Sequence, residues 1–277
     1  MSMNGNITIL VDNQAGEHLE SEHGFSLWIE TENKHILFDT GQGCALTANA
    51  SSLDIDLSKT DILVLSHGHY DHTGGMAQVL QQAGHTHVYC HSGVTQPRYS
   101  IHNGSARAIQ MPHASMLALD KVPEERMHWV LEPMFFSPKI GITGPIPRTT
   151  SFEDTGGPFY LDPAGRRVDP IIDDMALWMA TDQGVVVCVG CCHAGLVNTL
   201  NHVRQLSGQV HIRAVIGGFH LLNSGNERLE HTIAALRSFE PALVVPCHCT
   251  GEHATAALHD ALGKKVMPGA VGVTYCF

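Results

Sequence analysis

Four residues of metal-binding type within six positions constrain this chain more than any other feature of its sequence. They lie in the segment 66–75, SHGHYDHTGG, which directly follows the apolar run 61–66, DILVLS. Imidazoles and a carboxylate are costly to crowd together without a cation, because their lone pairs and any positive charges repel one another. The segment therefore predicts a metal site at the end of a buried strand, with a histidine-rich surface turn as the alternative. The four residues are His67, His69, Asp71 and His72.

The spacing inside this segment predicts two metal positions. His67 and His69 are two residues apart in an extended turn, so both rings can face one ion. Asp71 and His72 follow where the chain bends toward a helix, and they can address a second ion.

Strand-like and helix-like patterns alternate on both sides of this segment, which indicates an α/β fold. The predicted strands are 6–11, 25–31, 35–38, 61–66, 86–91, 175–181, 185–190, 210–216, 242–245 and 271–277. The predicted helices are 76–84, 196–206, 227–239 and 252–262. Residues 92–170 have little periodicity, and we expect long loops near a site, or an insertion, in that region.

The composition narrows the class of protein. A chain of 277 residues, 43% of them hydrophobic, is long enough for one large core, and we expect a single domain over 1–277. The net charge of -11 disfavours nucleic acid as a partner. With no signal-peptide pattern and no apolar run of bilayer length, we expect a cytoplasmic protein without a membrane partner. We also expect the cysteines to be reduced thiols. The expected partners are a small-molecule substrate and further copies of the chain in a homo-oligomer.

The motif His-x-His-x-Asp-His at the end of a buried strand resembles the hallmark of the metallo-β-lactamase superfamily. The upstream residues 37–41, LFDTG, resemble that superfamily's Asp-Thr-Gly turn. The resemblance implies an αββα four-layer sandwich with one or two divalent metal ions at the edge between its sheets. Zn²⁺ is the first expectation, and Mn²⁺ and iron are the alternatives. Because the superfamily carries many activities, the fold leaves the substrate open.

Further ligands are expected at the strand ends of the second half. Cys191 follows the predicted strand 185–190, at a position where most relatives have a bridging aspartate; ligation and apolar packing are both open for it. His193, two residues later, is expected to be a ligand, and His248 matches the superfamily's last metal histidine. Cys247 and Cys249 flank His248 and would point the other way in an extended turn, so we expect them to be structural.

Several polar residues near the expected site have open roles. His220 ends the segment GGFH and suits a substrate contact, a proton donor or an additional ligand. No histidine ligand is evident before the strand 185–190, so Asp173 or Asp174 would take that place, or His193 would; a solvated turn is the alternative for the two aspartates. His91 is expected to be a hydrogen-bonded structural residue rather than part of the site.

A narrower resemblance is to the subgroup named for dihydropterin ribofuranosylaminobenzene phosphate synthase. The segments that carry it are 22–26, 49–50, 190–195, 217–221, 247–251 and 146–148 with Glu153. In this resemblance Arg148 would clamp an anionic group of the substrate, and a surface arginine is the alternative.

These residues together predict a metal-dependent hydrolase that acts on a small anionic substrate. Asp71 would hold a metal or orient a water, and His220 would protonate the leaving group. One alternative is a pterin-pathway transferase that joins a dihydropterin to a ribofuranosylaminobenzene phosphate. The other is a non-catalytic module in which metal staples the two halves around a ligand-binding cavity.

Overall fold

The computed structural model describes residues 5–31 and 33–277. In chain order its strands are β1 Gly5–Val11, β2 Ser26–Thr31, β3 His35–Phe38, β4 Ile62–Val64, β5 His87–Cys90, β6 Tyr99–His102, β7 Ser105–Ala108, β8 Met127–Trp129, β9 Met134–Ser137, β10 Ile140–Ile142, β11 Phe159–Tyr160, β12 Ala176–Thr181, β13 Gly184–Val189, β14 Ile212–Gly218, β15 Leu243–Cys247 and β16 Thr274–Cys276. The helices are α1 Leu46–Ser52, α2 Tyr70–Thr73, α3 Met76–Gln82, α4 His113–Leu119, α5 Leu196–Ser207, α6 Asn226–Phe239 and α7 Glu252–Leu262. Within the described ranges, no helix is long and apolar enough to span a bilayer.

Two large sheets form the centre of the molecule. The first has the order β16-β1-β2-β3-β4-β5-β8 and the second has the order β15-β14-β13-β12-β10-β9. Strands β3, β4, β5 and β8 are parallel to one another, as are β13, β14 and β15, whereas β12 and β13 form the predicted hairpin. Strand β4 is apolar and fully buried, as expected of a parallel strand that is covered on both faces.

Alternation of apolar side chains places a core on each side of both sheets. In β12, Leu177 and Met179 pack into the core between the sheets, whereas Ala176, Trp178 and Ala180 pack outward against a second core. That second core includes residues of α5, α6 and α7, and a third core joins α1, α3 and α4 to the first sheet. The layers are therefore helix, sheet, sheet and helix, which confirms the predicted αββα sandwich. We call the first sheet with its helices the first lobe, and the second sheet with its helices the second lobe.

The region 92–170 contains more regular structure than its sequence pattern predicts. Strand β8 extends the first sheet, while β9 and β10 extend the second. Strands β11, β6 and β7 form a separate three-stranded sheet. The strands are short and their apolar residues alternate weakly, so the stabilising pairing of β10 with β12 joins segments that no local pattern relates.

Candidate metal centre

One loop of the first lobe and three loops of the second lobe supply the side chains of the candidate site. His67 and His69 lie between β4 and α2, and Asp71 and His72 lie within α2. Cys191 and His193 follow β13, His220 follows β14, and His248 follows β15. Because β13, β14 and β15 are parallel, their carboxyl ends open at the same edge of the sheet. All the residues predicted as ligands therefore meet at one pocket.

The donor atoms form overlapping sets of three, in each of which all the atoms lie within 4.8 Å of one another. The sets are His67, His69 and His193; His67, His72 and Cys191; Cys191, His193 and His220; Cys191, His248 and Cys249; and His23, Asp71 and His248. Cys191 belongs to three of these sets, so its sulfur lies near the middle of the cluster.

The electrostatics of the set of three histidines suit the binding of a cation. His67 Nε2 lies 3.0 Å from His69 Nδ1, and the His193 ring centroid lies 4.7 Å from that of His67. Burial, reinforced by nearby positive groups, lowers the pKa of all three rings well below the ordinary histidine value. The Nε2 atoms of His69 and His193 are buried without a hydrogen-bond partner. Neutral imidazoles with free lone pairs are the form in which histidine binds a divalent metal.

His72 is held by a carboxylate beneath the site. Its Nδ1 lies 2.7 Å from Asp39 Oδ2, which also accepts a 2.6 Å hydrogen bond from Ser66 Oγ. Burial alone would lower the pKa of His72, but the charge and hydrogen bond of Asp39, together with the charge of Asp71, raise that pKa to about 9. The opposite nitrogen, Nε2, lies 3.1 Å from Cys191 Sγ. This is the carboxylate–histidine arrangement that orients metal ligands.

Asp71 is fixed by histidines from two other segments. Its Oδ2 lies 3.0 Å from His23 Nε2 and 3.4 Å from His248 Nε2. Burial would raise the pKa of Asp71, yet the hydrogen bonds from these histidines hold it well below the usual range. His23 was not predicted as a site residue; the only signal was its place in segment 22–26 of the subgroup resemblance. Asn13 Oδ1 in turn lies 2.8 Å from His248 Nδ1 and orients that ring.

We expected Cys249 to be structural because its side chain would point away from the site, and that orientation is wrong. Residues His248–Thr250 form a 3₁₀ turn rather than an extended segment, and His248 has a φ of 46°. Side chains on such a turn do not alternate, so Cys249 joins Cys191 and His248 at the pocket while Cys247 packs into the core. Burial raises the pKa of the Cys191 thiol. Burial would also raise the pKa of the Cys249 thiol, but hydrogen bonds from Cys191 and His220 lower it.

His220 lines the pocket next to His193. Its ring centroid is 4.4 Å from that of His193 and 5.8 Å from that of Phe159, and its Nδ1 is buried without a hydrogen-bond partner. The backbone at Gly156 approaches this ring so closely that an added Cβ would lie 2.0 Å from His220 Cδ2. Only glycine fits there, so Gly156 sets the position of the His220 ring.

Arg148 does not line the pocket in this structure. Its guanidinium donates hydrogen bonds of 2.6 Å to the His193 carbonyl and 2.7 Å to the Pro170 carbonyl. It therefore supports the ligand loop from behind. Asp174 acts similarly, because its Oδ2 accepts a 2.7 Å hydrogen bond from the Ala194 amide.

Asp173 supports the loop of the other lobe. Its Oδ2 accepts a 2.9 Å hydrogen bond from the Gly68 amide, and its Oδ1 forms a 2.5 Å ion pair with Arg98. Both aspartates are buried and neither belongs to a donor set, so the solvated turn considered for them is not what forms. His91 is the structural residue that we expected, since its Nδ1 accepts a hydrogen bond from the Gly93 amide.

A cavity of about 460 Å³ opens above the donor cluster. The three-stranded sheet of β6, β7 and β11 forms its outer wall, with Arg107 and Phe159 among the lining residues. Arg107 Nη2 lies 3.2 Å from the Tyr70 hydroxyl, and the guanidinium lies 5.3 Å from the centroid of the Tyr70 ring. Sequence reasoning missed this wall, because it belongs to the region that we expected to be loops.

The donor set fits a divalent transition metal. Imidazole and thiolate ligands suit Zn²⁺ and its neighbours, whereas Mg²⁺ and Ca²⁺ prefer sites made of oxygen alone. The buried Nε2 atoms of His69 and His193, which have no hydrogen-bond partner, would bind such an ion.

Known proteins resemble this chain over most of its length. The family model for the metallo-β-lactamase superfamily matches residues 21–197. A Methanocaldococcus jannaschii protein named 7,8-dihydropterin-6-methyl-4-(β-D-ribofuranosyl)-aminobenzene-5'-phosphate synthase is 30% identical over 249 residues, which are 83% of this chain and 82% of that protein. The uncharacterized protein MJ0448 of the same organism is 32% identical over 254 residues, 91% of this chain and 93% of that protein. The crystal structure of Tm1679, a metal-dependent hydrolase of the β-lactamase superfamily, has a TM-score of 0.81 at 28% identity and matches over 98% of both chains.

Proposed function

The chain belongs to the metallo-β-lactamase superfamily, and we propose that it is a metal-dependent hydrolase acting on a small anionic substrate. The observation that carries the proposal is the convergence of His67 and His69 from one lobe with His193 from the other. Their donor nitrogens lie within 4.8 Å of one another, and His69 lines an open cavity. A group of neutral imidazoles, two of which have an unpartnered buried nitrogen, is suited to binding a cation that a substrate in the cavity can reach.

Two cation positions are available in this donor cluster. His67, His69 and His193 would hold one ion. Cys191 and His248, which share another donor set, would bind the second ion, with His72 beside Cys191 and Asp71 beside His248. Zn²⁺ is the cation that we propose, because imidazoles outnumber carboxylates in the cluster. When bound, such ions lower the pKa of a coordinated water toward neutrality and polarise the electrophile.

Asp71 and His220 both line the cavity, and we propose a role for each. The ionised carboxylate of Asp71 can accept a hydrogen bond from an incoming water and so orient it. The Nδ1 of His220 is buried without a hydrogen-bond partner. A leaving-group oxygen bound beside His220 would provide that partner. His220 would donate its proton there as the bond to the leaving group breaks.

The charge of the cavity wall supports an anionic substrate. Among the described residues that line the cavity, Arg107 is the only lysine or arginine. The aromatic residues Tyr70 and Phe159 also line the cavity. We propose that Arg107, rather than Arg148, binds a phosphate or carboxylate of the substrate.

The identity to the M. jannaschii synthase favours a second candidate function. In a transferase of that kind, a C–N bond would form between the 6-methyl carbon of a dihydropterin and the amine of a ribofuranosylaminobenzene phosphate. A leaving group such as diphosphate would depart from that carbon with the electron pair, and the amine would lose one proton. The cavity and Arg107 suit the anionic groups of both partners equally well.

The hydrolase proposal is tested with the Zn²⁺-loaded full chain on phosphate mono- and diesters, lactones and thioesters. We expect turnover of an anionic ester, and a loss of at least about a hundredfold in His193→Ala. Arg107→Gln should lower kcat/KM for the anionic ester by about tenfold or more while leaving a neutral lactone unaffected, because a hydrogen bond to a charged group contributes about 1.5–3 kcal/mol. Arg166→Gln, in which an exposed arginine outside the cavity is changed, is the matched control.

Absence of turnover across the whole panel would contradict the hydrolase. The same protein is then incubated with a dihydropterin diphosphate ester and 4-(β-D-ribofuranosyl)aminobenzene 5'-phosphate, and the coupled product is sought by mass. If neither reaction occurs and chelation unfolds the protein, the chain is a metal-stapled binding module and both enzymatic candidates fail.

A further inference from the structure

We infer that Cys191 and Cys249 form a thiolate pair which, together with His248, binds one cation of the centre. This makes one position of the pocket sulfur-rich while the position at His67, His69 and His193 has only nitrogen donors. The inference rests on the proposed function only in that it treats the pocket as a metal centre, and it does not depend on which reaction the pocket performs.

The three donor atoms already have nearly the spacing of metal ligands. Cys191 Sγ, Cys249 Sγ and the donor nitrogen of His248 lie within 4.8 Å of one another, and all three residues are buried. Around a tetrahedral Zn²⁺, with Zn–S near 2.3 Å and Zn–N near 2.0 Å, donor atoms are separated by roughly 3.5–3.8 Å. Closing the set around an ion therefore requires movements of about 1 Å or less, within the reach of side-chain rotation.

The absence of a side chain at Gly218 leaves space for the sulfur of Cys249. A Cβ added at Gly218 would lie 2.6 Å from Cys249 Sγ and 2.6 Å from the Gly190 carbonyl oxygen. Gly218 therefore allows the sulfur to lie against the end of β14, next to Cys191. On its other side Cys249 Sγ is 3.7 Å from the Cys191 carbonyl oxygen.

The neighbouring cysteines show that this orientation is specific. Cys247 packs among the apolar residues of the core between the sheets, with its Sγ 3.5 Å from the Val245 carbonyl oxygen. Cys192 Sγ lies 3.3 Å from Thr199 Oγ1, on the side of α5. Among the cysteines of the described residues, Cys191 and Cys249 are the two that line the cavity.

A thiolate pair would decide which metals the second position accepts. Thiolates favour soft and borderline ions, so this position should bind Zn²⁺, Co²⁺ and Cd²⁺ and discriminate against Mn²⁺ and Mg²⁺. The position that has only nitrogen donors should discriminate less strongly between these two groups of ions. Each thiol gives up its proton as the metal binds, so metal uptake at this position should release protons into the buffer.

The test is titration of the reduced full chain with Cd²⁺ and with Co²⁺, followed by the ultraviolet absorption that sulfur-to-metal charge transfer produces. We expect this absorption in the wild type, a reduction to about half in Cys191→Ser and in Cys249→Ser, and its loss in the double variant. Cys247→Ser is the matched control, because it removes an equally buried cysteine two residues away and should leave the absorption unchanged.

A second measurement needs no substitution and so does not depend on how the variants fold. X-ray absorption of the Zn²⁺-loaded wild type should show a sulfur shell near 2.3 Å averaging about one sulfur per ion when two ions are bound. A spectrum with only nitrogen and oxygen ligands would overturn the inference, as would charge-transfer absorption that is unaffected in Cys249→Ser. Neither result depends on turnover, so failure of this inference is distinguishable from failure of the proposed reaction.

Discussion

The two lobes supply the candidate metal centre in different ways. The first lobe contributes His67, His69, Asp71 and His72 from a single stretch of six residues after β4. The second lobe contributes its donors from the ends of β13, β14 and β15, which are spread over nearly 60 residues of sequence, from Cys191 to Cys249. A contiguous ligand segment carries its own geometry, whereas dispersed ligands depend on parallel strands that end at the same edge.

The residues that support the ligands also come from different parts of the chain, and one of them reaches from the second lobe to the first. Asp39 of the first lobe holds His72, while Glu153, from the region between the lobes, holds the start of α5 next to His193. Asp173 precedes β12 of the second lobe yet binds the Gly68 amide of the first. Neither set of ligands is therefore positioned by its own lobe alone, and three substitutions test how far the lobes depend on each other.

The largest effect is expected from Asp173→Ala. The change leaves the buried guanidinium of Arg98 with only Asp169 as a charged partner and removes the acceptor of the Gly68 amide. Breaking a buried ion pair typically destabilises a protein by about 3–5 kcal/mol, and we expect that loss in the free energy of unfolding measured with denaturant.

Two controls accompany this variant. Asp182→Ala removes an aspartate that is 63% exposed at its side chain, and it should change stability by less than about 0.5 kcal/mol. Arg98→Met combined with Asp169→Asn and Asp173→Asn should recover much of the loss, since no unpaired charge remains and the new amide oxygen at position 173 can still accept from the Gly68 amide. If Asp173→Ala is as stable as the wild type, the ion pair does not tie the lobes together.

An intermediate effect is expected from Asp39→Asn, which tests the support inside the first lobe. In the wild type the charge of Asp39 favours a proton on His72 Nδ1, and this leaves Nε2 directed toward Cys191. The substitution keeps the size of the side chain but removes that charge. Loss of such a partner typically lowers metal affinity by about 10–100-fold, which competition with a chromophoric chelator would measure. Equal affinity in the two proteins would show that the first-lobe ligands are positioned without Asp39. Asp61→Asn, at the other end of β4, is the control.

The smallest effect is expected from Glu153→Ala, which tests the support of the second lobe. Glu153 accepts hydrogen bonds of 2.8 and 2.9 Å from the Val197 and Asn198 amides, and so caps α5 in place of Gly195, which has no side chain. Loss of a helix cap costs about 0.5–2 kcal/mol of stability, measurable by denaturant. Glu125→Ala, on an exposed turn, should cost less, and an equal cost in both variants would mean that Glu153 does not cap the helix.

The sequence pattern located the candidate metal centre but did not identify all of its residues. The ligand segment 66–75, the hairpin of β12 and β13, and the helices α5, α6 and α7 follow from periodicity that is local in sequence. Cys249 was misplaced because an extended backbone was assumed where a 3₁₀ turn forms. His23 and Arg107 were missed because they lie in segments whose approach to the pocket depends on long-range packing.

The sequence by itself determined that a candidate cation site follows a buried strand, because the candidate ligands at positions 67–72 are close together in sequence and the strand is apolar on both faces. Only the tertiary structure decided which second-lobe side chains complete that site. Positive φ angles at His220 and His248, of 47° and 46°, turn those side chains at the ends of β14 and β15, and no residue pattern signals such angles in a histidine. The tertiary structure likewise turned Arg148 and Asp173 from candidates for contact with substrate or metal into supports for the ligand loops, because the partners of both lie between 22 and 105 residues away in sequence.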